Sequence, residues 1–406
     1  MQNAFFNLIV AGLLSFATQP AMAQGTITPA QADSLSWKYY LIGDWDSLIE
    51  IGEQAQQQGI GFKYLHQRMG YAWYLKGDYY KSKQHYQKAL RYDSDDETTL
   101  LYLYYSQMAT GHLLSARYHA AGLPVETQTL SKITRQHWLN SVDAEYSYKR
   151  PDAFYRDNDL RGDGIYRRIG LHTLPGYRLA VYQSLSGFQQ STEFGNSTRQ
   201  LEYLGSVSAQ VSAPITLIAA YHFTGTRYTQ LPDSFYLPGH QIAARINYQW
   251  RRFDFSASGS HLTNSYLQVN QIGLHWGTGF SLPASIYLKT SVYWLTDTWD
   301  DSTTPGVDQF AHTVVEQSVG AMVWKNRLWV EANVTLGNQN YFTVADGLYF
   351  YNSPDPIVQK SGVQLTAFLT KNLSTTLHYG IEKKHWIAND EYYYQQGLTG
   401  GIIWKL

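Results

Sequence analysis

Residues 201–211 read LEYLGSVSAQV, a run in which apolar or small side chains occupy every second position. A period of two is that of a β-strand, whose successive side chains point to opposite faces. One face of this run suits lipid, and the other carries polar side chains that suit water. The same alternation recurs in residues 241–250, 327–336 and 373–382. These segments predict strands of a sheet that separates an apolar from a polar environment.

About fourteen such segments follow one another across residues 138–406. Tight turns, as at 175–176 and 371–372, alternate with longer polar loops, as at 226–240 and 339–356. An even number of strands joined by alternating short and long connections is typical of bacterial membrane barrels. The segment is therefore predicted to form a transmembrane antiparallel β-barrel of about 14 strands. The strands are expected to centre near Ala144, Ile169, Val181, Val207, Ala219, Ile246, Ala257, Ile272, Ser291, Val319, Ala332, Leu365, Leu377 and Ile402.

The final segment, residues 398–406, alternates up to Leu406. It resembles the C-terminal recognition strand of outer-membrane proteins, which usually ends in an aromatic residue. Leu406 departs from that pattern, and Trp404 keeps an aromatic ring two positions earlier. The resemblance implies the barrel assembly machinery and outer-membrane lipid as partners.

The composition fits a barrel better than a soluble enzyme. The 406 residues include 34 Tyr, 12 Trp and 16 Phe, although the mean hydropathy is only −0.35. Barrels combine an apolar lipid face, a polar lumen and aromatic rims. The net charge of −1 does not indicate the excess of positive charge that is typical of nucleic-acid-binding proteins. The absence of cysteine excludes disulfides and thiolate metal sites.

The first 23 residues predict a secretory signal peptide. Residues 8–16 form an apolar core too short to span a bilayer, and Ala21 and Ala23 suit a cleavage site. No Lys or Arg precedes this core, so a membrane anchor is the alternative reading. Export and a barrel together predict the cell outer membrane as the location, with the N-terminal domain in the periplasm.

A second periodicity covers residues 24–124. Gly43, Gly77 and Gly111 are spaced 34 residues apart, and apolar residues between them follow a helical period. Residues 69–79, MGYAWYLKGDY, resemble the tetratricopeptide repeat in residue types and spacing. The positions that match its signature are Gly43, Gly70, Gly77, Ala89, Gly111 and Ala116. The whole chain is thus predicted to be an α + β two-domain protein: a helical solenoid, a connector over residues 125–137, and the barrel.

The tetratricopeptide resemblance also implies a partner-binding groove. In that family, certain positions of the first helix of each repeat face a concave surface. Those positions here form two rows of large side chains: Trp37, Tyr71 and Tyr105, and Tyr40, Tyr74 and Met108. The groove would accept a periplasmic protein or a glycan chain. The alternative is that these rings pack between repeats or against the barrel rim.

The polar faces of the strands predict the lining of the lumen. It comprises Glu202, Arg245, Asp254, Lys289, Glu316, Glu331, Glu382, Lys384 and Lys405. Both signs of charge are present, so no strong ion selectivity is expected. Fourteen strands lie between the filled interior of small barrels and the open channel of porins. The expected pore is narrow, and closed by Arg/Glu pairs or by an infolded loop.

Motifs of catalysis are not found. There is no nucleophile elbow, zinc helix or phosphate loop in the sequence. Two acidic groups, Asp157, Asp159 and Asp163, and Asp297, Asp300 and Asp301, are expected to be solvated loop tips. His172, His222, His275 and His378 lie on strands, but sequence cannot pair them with a serine. Neither an enzyme nor a cofactor is therefore expected.

Helical repeats followed by a barrel resemble several bacterial families. These are the YaiO-type barrels, the surface lipoprotein assembly modifiers, and the polysaccharide exporters, which usually carry more repeats. The resemblance implies transport, export or surface delivery of a periplasmic substrate. The alternative is a non-transporting scaffold that the barrel anchors in the membrane.

Overall fold

The computed structural model of the protein describes residues 26–133, 138–192, 195–230, 233–280, 285–300, 307–324, 327–344, 349–350, 355–387 and 389–406. The predicted signal peptide lies outside these residues. Helices fill the first part of the described chain and strands the rest, as predicted. No helix in the described ranges is both long and apolar enough to cross a membrane.

Three antiparallel helix pairs form the N-terminal region. Their helices are α1 (Pro29–Ile42), α2 (Trp45–Gln57), α3 (Lys63–Leu75), α4 (Tyr79–Ala89), α5 (Glu97–Ala109) and α6 (Leu113–Ala120). Two short helices follow, α7 (Val125–Leu130) and α8 (Ala153–Asp157). Asp44, Asp78 and Asp96 accept hydrogen bonds from backbone N–H groups in the first turns of α2, α4 and α5. These caps satisfy donors that a helix leaves unpaired at its start.

The glycines at 34-residue spacing end the first helix of each pair. Gly43, Gly77 and Gly111 have φ angles of 71°, 80° and 81°, the left-handed region that favours glycine. A matching backbone hydrogen bond closes each turn: Asp44 N to Tyr39 O at 3.0 Å, Asp78 N to Trp73 O at 2.9 Å, and His112 N to Gln107 O at 2.9 Å. The sequence period is therefore a structural period.

The other signature positions bring helices together. A Cβ placed on Gly70 would lie 2.8 Å from the Tyr86 ring, so only glycine lets α3 and α4 approach this closely. Ala89 and Ala116 are fully buried between helices. Other apolar side chains of the helical region with no exposed surface are Leu48, Leu65, Met69, Ala72 and Leu103.

The barrel contains fourteen strands. They are β1 (Leu139–Pro151), β2 (Arg161–Thr173), β3 (Leu179–Thr192), β4 (Ser197–Ser212), β5 (Ile215–Gln230), β6 (Asp233–Trp250), β7 (Phe253–Thr263), β8 (Leu267–Phe280), β9 (Ile286–Asp300), β10 (Val307–Trp324), β11 (Leu328–Leu336), β14 (Ile357–Phe368), β15 (Leu373–Trp386) and β16 (Glu391–Lys405). The two-residue strands β12 (Thr343–Val344) and β13 (Tyr349–Phe350) form a separate ribbon. Neighbouring barrel strands are antiparallel, and β1 pairs with β16 to close the sheet.

The predicted strand count is confirmed, and every predicted strand centre falls within a strand. The prediction of a loop at 226–240 was wrong, because β5 and β6 stay paired to Gln230 and Asp233. Backbone pairing does not need apolar side chains. Beyond the lipid both faces of a strand meet water, so the alternation that revealed the strands disappears there.

The two faces of the barrel differ as the alternation requires. Apolar side chains are exposed on the outside, including Ile169, Leu185, Leu201, Ile242 and Ile272. Polar side chains are buried inside, including Gln200, Glu202, His222, Gln271 and Glu382. Exposed tryptophans, among them Trp250, Trp324 and Trp404, lie near the end with the short turns. An apolar belt with an aromatic rim is the exterior of a membrane barrel.

Candidate functional site

The lumen brings together most of the residues that the sequence predicts to line it. Glu202 is buried and accepts hydrogen bonds from Ser186 Oγ at 3.0 Å and Gln200 Nε2 at 2.6 Å. His222 Nε2 lies 3.3 Å from the same carboxylate. Glu202 is thus held on the wall by neighbouring strands and is not a mobile charge in a wide channel.

The other predicted lumen residues are also engaged. Arg245 donates to Asn247 Oδ1 at 2.8 Å and Ser256 Oγ at 2.7 Å. Glu316 lies 3.5 Å from Lys289 Nζ, and Glu331 accepts from Trp329 Nε1 at 3.2 Å. Lys405, in contrast, is exposed at the end of β16, so the structure does not bring it into the lumen.

A loop after β11 folds into the barrel. Phe342 is completely buried against Tyr293, with ring centroids 4.7 Å apart. The backbone of Thr343 exchanges two hydrogen bonds with the Gln271 side chain, at 2.8 and 3.0 Å. The barrel wall contacts both the Phe342 ring and the Thr343 backbone, which holds the infolded loop inside the barrel. The loop therefore narrows the lumen. An infolded loop was one of the two predicted ways to close the pore.

The second predicted way, paired charges, is also present. Arg161 on β2 forms a bidentate ion pair with Asp355, at 2.5 and 2.9 Å, and both side chains are buried. Tyr393 also donates to Asp355, at 2.7 Å. This cluster ties β2 and β16 to the segment that leads into β14. The Arg161 pair uses an aspartate, whereas a pair of the predicted Arg/Glu type is formed by Arg168 and Glu145, 3.0 Å apart.

A cavity of about 460 Å³ remains inside the barrel beside the infolded loop. Its lining carries both signs of charge: Glu145, Glu202, Glu316 and Glu331, and Lys149, Lys289, Lys360 and Lys384. Lys149 Nζ lies 2.7 Å from Glu382 Oε1, and Lys360 Nζ lies 3.9 Å from the same oxygen. The cavity therefore has a wall on which lysines gather around one carboxylate.

The helical region lies across the short-turn end of the barrel. His112 Nε2 is 3.0 Å from Asp254 Oδ1, and Arg117 donates to Gly176 O at 3.0 Å. A second lumenal cavity, of about 400 Å³, is lined by residues 112–115 on one side and by the barrel wall on the other. The first turn of α6 thus covers part of the opening of the barrel, and we call the helical region its cap.

The cap presents a buried lysine at this opening. Lys83 is 1% exposed, and burial lowers its pKa to about 8, with the opposing charge of Asp254 acting in the other direction. Next to it, the Tyr80 side chain packs so closely on Gly279 that a Cβ at that position would overlap its hydroxyl group. The cap is therefore fitted to the barrel by shape as well as by charge.

Five of the six predicted groove residues carry rings, and together with Tyr102 these rings form a continuous row. Trp37 and Tyr40 lie 5.8 Å apart between ring centroids, Tyr40 and Tyr71 5.6 Å, and Tyr74 and Tyr105 6.4 Å. Trp37 and Met108 are exposed. The structure thus contains both contacts between repeats and accessible surface. We call this set, with Tyr102, the aromatic row.

Tyr102 joins the two halves of the aromatic row, and sequence reasoning missed it. Its ring lies 5.3 Å from Tyr71 and 5.4 Å from Tyr74, and it stacks on buried Tyr86. Burial raises its pKa to about 12, so the phenol is neutral at physiological pH. Its position one turn before Tyr105 was the available signal, because residues three apart on a helix are neighbours.

One serine and one histidine do meet in the lumen. Ser258 Oγ lies 3.0 Å from His275 Nε2, but His275 Nδ1 is buried without a hydrogen-bond partner. Serine hydrolases use a third group at that nitrogen to orient the imidazole. The pair thus lacks a part of that arrangement.

The acidic groups differ from the prediction at three positions, because Asp163 lies within β2 and both Asp297 and Asp300 lie within β9. Asp297 lies within β9 and is buried, 3.9 Å from His312, so it is not a solvated loop tip. Asp157 is exposed beside Arg156, as expected. Asp301 lies outside the described residues. Within the ranges that the structure describes, no group of three or more His, Asp or Glu side chains could hold a metal ion.

No family model and no curated protein matches the chain. Among solved structures, the Pseudomonas putida toluene transporter TodX is similar at 8% identity and a TM-score of 0.46, covering 68% of this chain and 92% of that one. The CymD monoaromatic hydrocarbon channel is similar at 9% identity and a TM-score of 0.44, covering 70% of this chain and 91% of that one. A bacterial polysaccharide outer membrane secretin is similar at 13% identity and a TM-score of 0.39, covering 66% of this chain and 99% of that one. Similarities this remote do not indicate what the present protein binds or carries.

Proposed function

We propose that the protein is an outer-membrane channel that carries a polar solute between the periplasm and the cell surface. The observation that supports this most directly is a polar cavity of about 460 Å³ inside a closed barrel with an apolar exterior. A barrel that only anchored a scaffold could fill its lumen with packed side chains. A lined cavity is what passage of a solute requires.

The helical cap would belong to the tetratricopeptide class and lie in the periplasm. Short turns of bacterial barrels face the periplasm, and the cap contacts that end. An epitope inserted at Gly59, an open turn between α2 and α3, tests the orientation. We expect the epitope to be accessible to antibody only after the outer membrane is permeabilised. Labelling of intact cells would reverse the proposed orientation.

Single-channel conductance in planar bilayers tests transport. The cap and the infolded loop should keep the channel mostly closed. Replacing both His112 and Arg117 with Ala removes the cap contacts to Asp254 and Gly176, so openings should become more frequent or larger. Lys76→Ala is the matched control, because it breaks only the exposed pair with Asp46 within the cap. If neither protein conducts, the scaffold function is favoured instead.

A second function, partner recruitment, is favoured by the aromatic row. Trp37 is exposed at one end of a row of half-buried tyrosines, and accessible apolar and aromatic surface of this kind is common at interaction sites. Trp37→Ala and Tyr105→Ala should reduce periplasmic protein or glycan that co-purifies with the protein. Tyr64→Ala is the control, since Tyr64 is similarly exposed but takes no part in the row. Unchanged partners would mean that the rings serve packing alone.

A further inference from the structure

The Gln395 side chain on β16 is buried without a partner. It is 1% exposed, yet neither its amide oxygen nor its amide nitrogen makes a hydrogen bond. Leaving such a group unsatisfied destabilises the folded protein. Gln395 lines the larger lumenal cavity, and its amide group lies buried at the wall of that cavity. The cost is explained if a ligand supplies the missing partners.

A charged cluster surrounds this amide. Glu382 is directly opposite Gln395 in the strand register, and Lys360 is opposite Glu382 on the next strand. Lys149 and Lys360 both approach Glu382 Oε1, while Oε2 is buried and has no hydrogen-bond partner. Lys384, two residues further along β15, is 3% exposed. Four consecutive strands thus contribute to one polar wall.

A further acceptor completes the set. Gln339, in the infolded loop, is 1% exposed and lines the same cavity, and its Oε1 has no hydrogen-bond partner. Within the described lining, the acceptors without a partner are therefore Gln339 Oε1 and Gln395 Oε1, and Glu382 Oε2 is a further one in the wall beside Gln395. Among the described lining residues, the donors without a partner include the Tyr166 hydroxyl and the Gln395 amide nitrogen, and the latter lies on the wall that carries the lysines.

This inventory defines the chemistry of a complementary molecule. An anionic oxygen would accept from the Gln395 amide and be attracted by the lysine ammonium groups. Hydroxyl groups would donate to the unmatched oxygens. Carboxylates elsewhere on the lining are already occupied: Glu145 by Arg168 at 3.0 Å, and Glu316 by Lys289 at 3.5 Å.

We propose that this wall of the cavity binds a small hydroxylated carboxylic acid. The inference rests on the proposed transport function, to which it adds a substrate class. A cavity of about 460 Å³ falls within the ~300–1,000 Å³ typical of small-molecule sites. Phe188 and Phe342 also line it and would contact the carbon skeleton of the acid.

Three six-carbon probes separate the two features of the proposed ligand. Gluconate has a carboxylate and hydroxyls, sorbitol has only hydroxyls, and hexanoate has only a carboxylate. Calorimetric titration of the purified protein in detergent should give binding of gluconate that is about tenfold or more tighter than that of the other two. Sorbitol, hexanoate or inorganic phosphate binding as tightly as gluconate, or no binding of gluconate, would overturn the proposal.

Substitutions at Gln395 localise the binding. Gln395→Leu should weaken gluconate binding about tenfold without lowering the thermal stability of the barrel, because it removes an unsatisfied buried amide. Gln395→Glu places a second carboxylate opposite Glu382 and should weaken gluconate more than sorbitol. Ser208→Ala, which removes a hydroxyl from the other cavity, is the control. Unchanged gluconate binding in Gln395→Leu would contradict the assignment.

The outcomes for binding and for transport are separate. If the protein conducts in bilayers but gluconate does not bind, this inference fails and the channel function stands. If gluconate binds at Gln395 but the protein never conducts, the site stands and the channel function fails.

Discussion

In the helical cap, side chains of successive helix pairs meet across about one repeat, whereas at the closure of the barrel they meet across most of the chain. Lys63 and Asp96, 33 positions apart, pair at 3.0 Å and link successive helix pairs. Lys149 and Glu382, 233 positions apart, pair at 2.7 Å across the closure of the barrel. A substitution in a repeat array mainly destabilises its own repeat and the neighbouring repeats. In a closed sheet every strand is paired on both edges, so no strand is stable independently of the others. The two regions should therefore respond differently to the same kind of change.

The largest expected effect is loss of the buried ion pair in the barrel. Arg161→Leu leaves Asp355 buried without its cation and should lower the free energy of unfolding by about 3–5 kcal/mol. Urea unfolding followed by tryptophan fluorescence measures this. Changing both Arg161 and Asp355 to Leu should recover much of the loss, because no unpaired charge remains. Equal losses in the single and double variants would contradict this explanation.

Acid should unfold the cap before the barrel. Burial lowers the pKa of His66 to about 4, of His85 to about 3 and of His119 to about 4, with nearby Lys88 adding to the shift for the first two. The unfolded chain, with histidine pKa values near 6.5, binds more protons than the folded cap between pH 3 and 6.5. This contribution is therefore complete above pH 6.5 and is lost as the pH falls towards 3.

Two signals distinguish the transitions. Circular dichroism at the helix band follows unfolding of the cap, and the difference in gel mobility between heated and unheated samples follows unfolding of the barrel. Substituting Leu for both His66 and His85 should move the cap transition to lower pH. Simultaneous loss of both signals at one pH would show that cap and barrel unfold as a unit.

Overpacking between α3 and α4 should have a moderate and local effect. Gly70→Val forces a side chain into the Tyr86 ring and should destabilise the cap by about 1–3 kcal/mol. Thermal unfolding followed at the helix band measures the loss, and the barrel signal should not move. Combining Gly70→Val with Tyr86→Leu should cost less than the sum of the two single changes, because both act on one space. Additive losses would mean that the ring is not the obstacle.

The smallest expected effect is at a turn. Gly77→Ala puts a side chain at φ 80° with open space around it, so only backbone strain of about 1 kcal/mol is added. Gly77→Asn is the control, since asparagine tolerates the left-handed region better. The same melts apply, and a loss as large as that of Gly70→Val would contradict a purely local turn effect.

The difference between the regions also explains which features were predictable. The 34-residue spacing of Gly43, Gly77 and Gly111 placed the turns of the cap, because each turn is determined by its own residues. Period-two alternation gave the number of barrel strands for the same reason. The alternation of apolar and polar residues did not predict the parts of β5 and β6 that extend beyond the lipid, because both faces of a strand meet water there.

The candidate site was only partly predictable. Alternation assigned Glu202, Arg245, Glu316 and Glu331 to the polar face of their strands, and each lines a lumenal cavity. Grouping Lys149, Lys360 and Gln395 needs the register of four strands and the contact that closes the barrel. Nothing local to any of those residues carries that information.

The pairing of β1 with β16 has a consequence for how the molecule is made. Eleven residue pairs, from Ser141 with Lys405 to Pro151 with Gln395, join the first strand to be synthesised with the last. Until β16 arrives, β1 and β15 both present unpaired backbone edges, which invite aggregation. The cap is translated earlier and is stabilised by contacts that are short-range in sequence. It can therefore fold before β16 is available to close the barrel. Assembly is therefore expected to be ordered in time, with the circular sheet sealed in the last step.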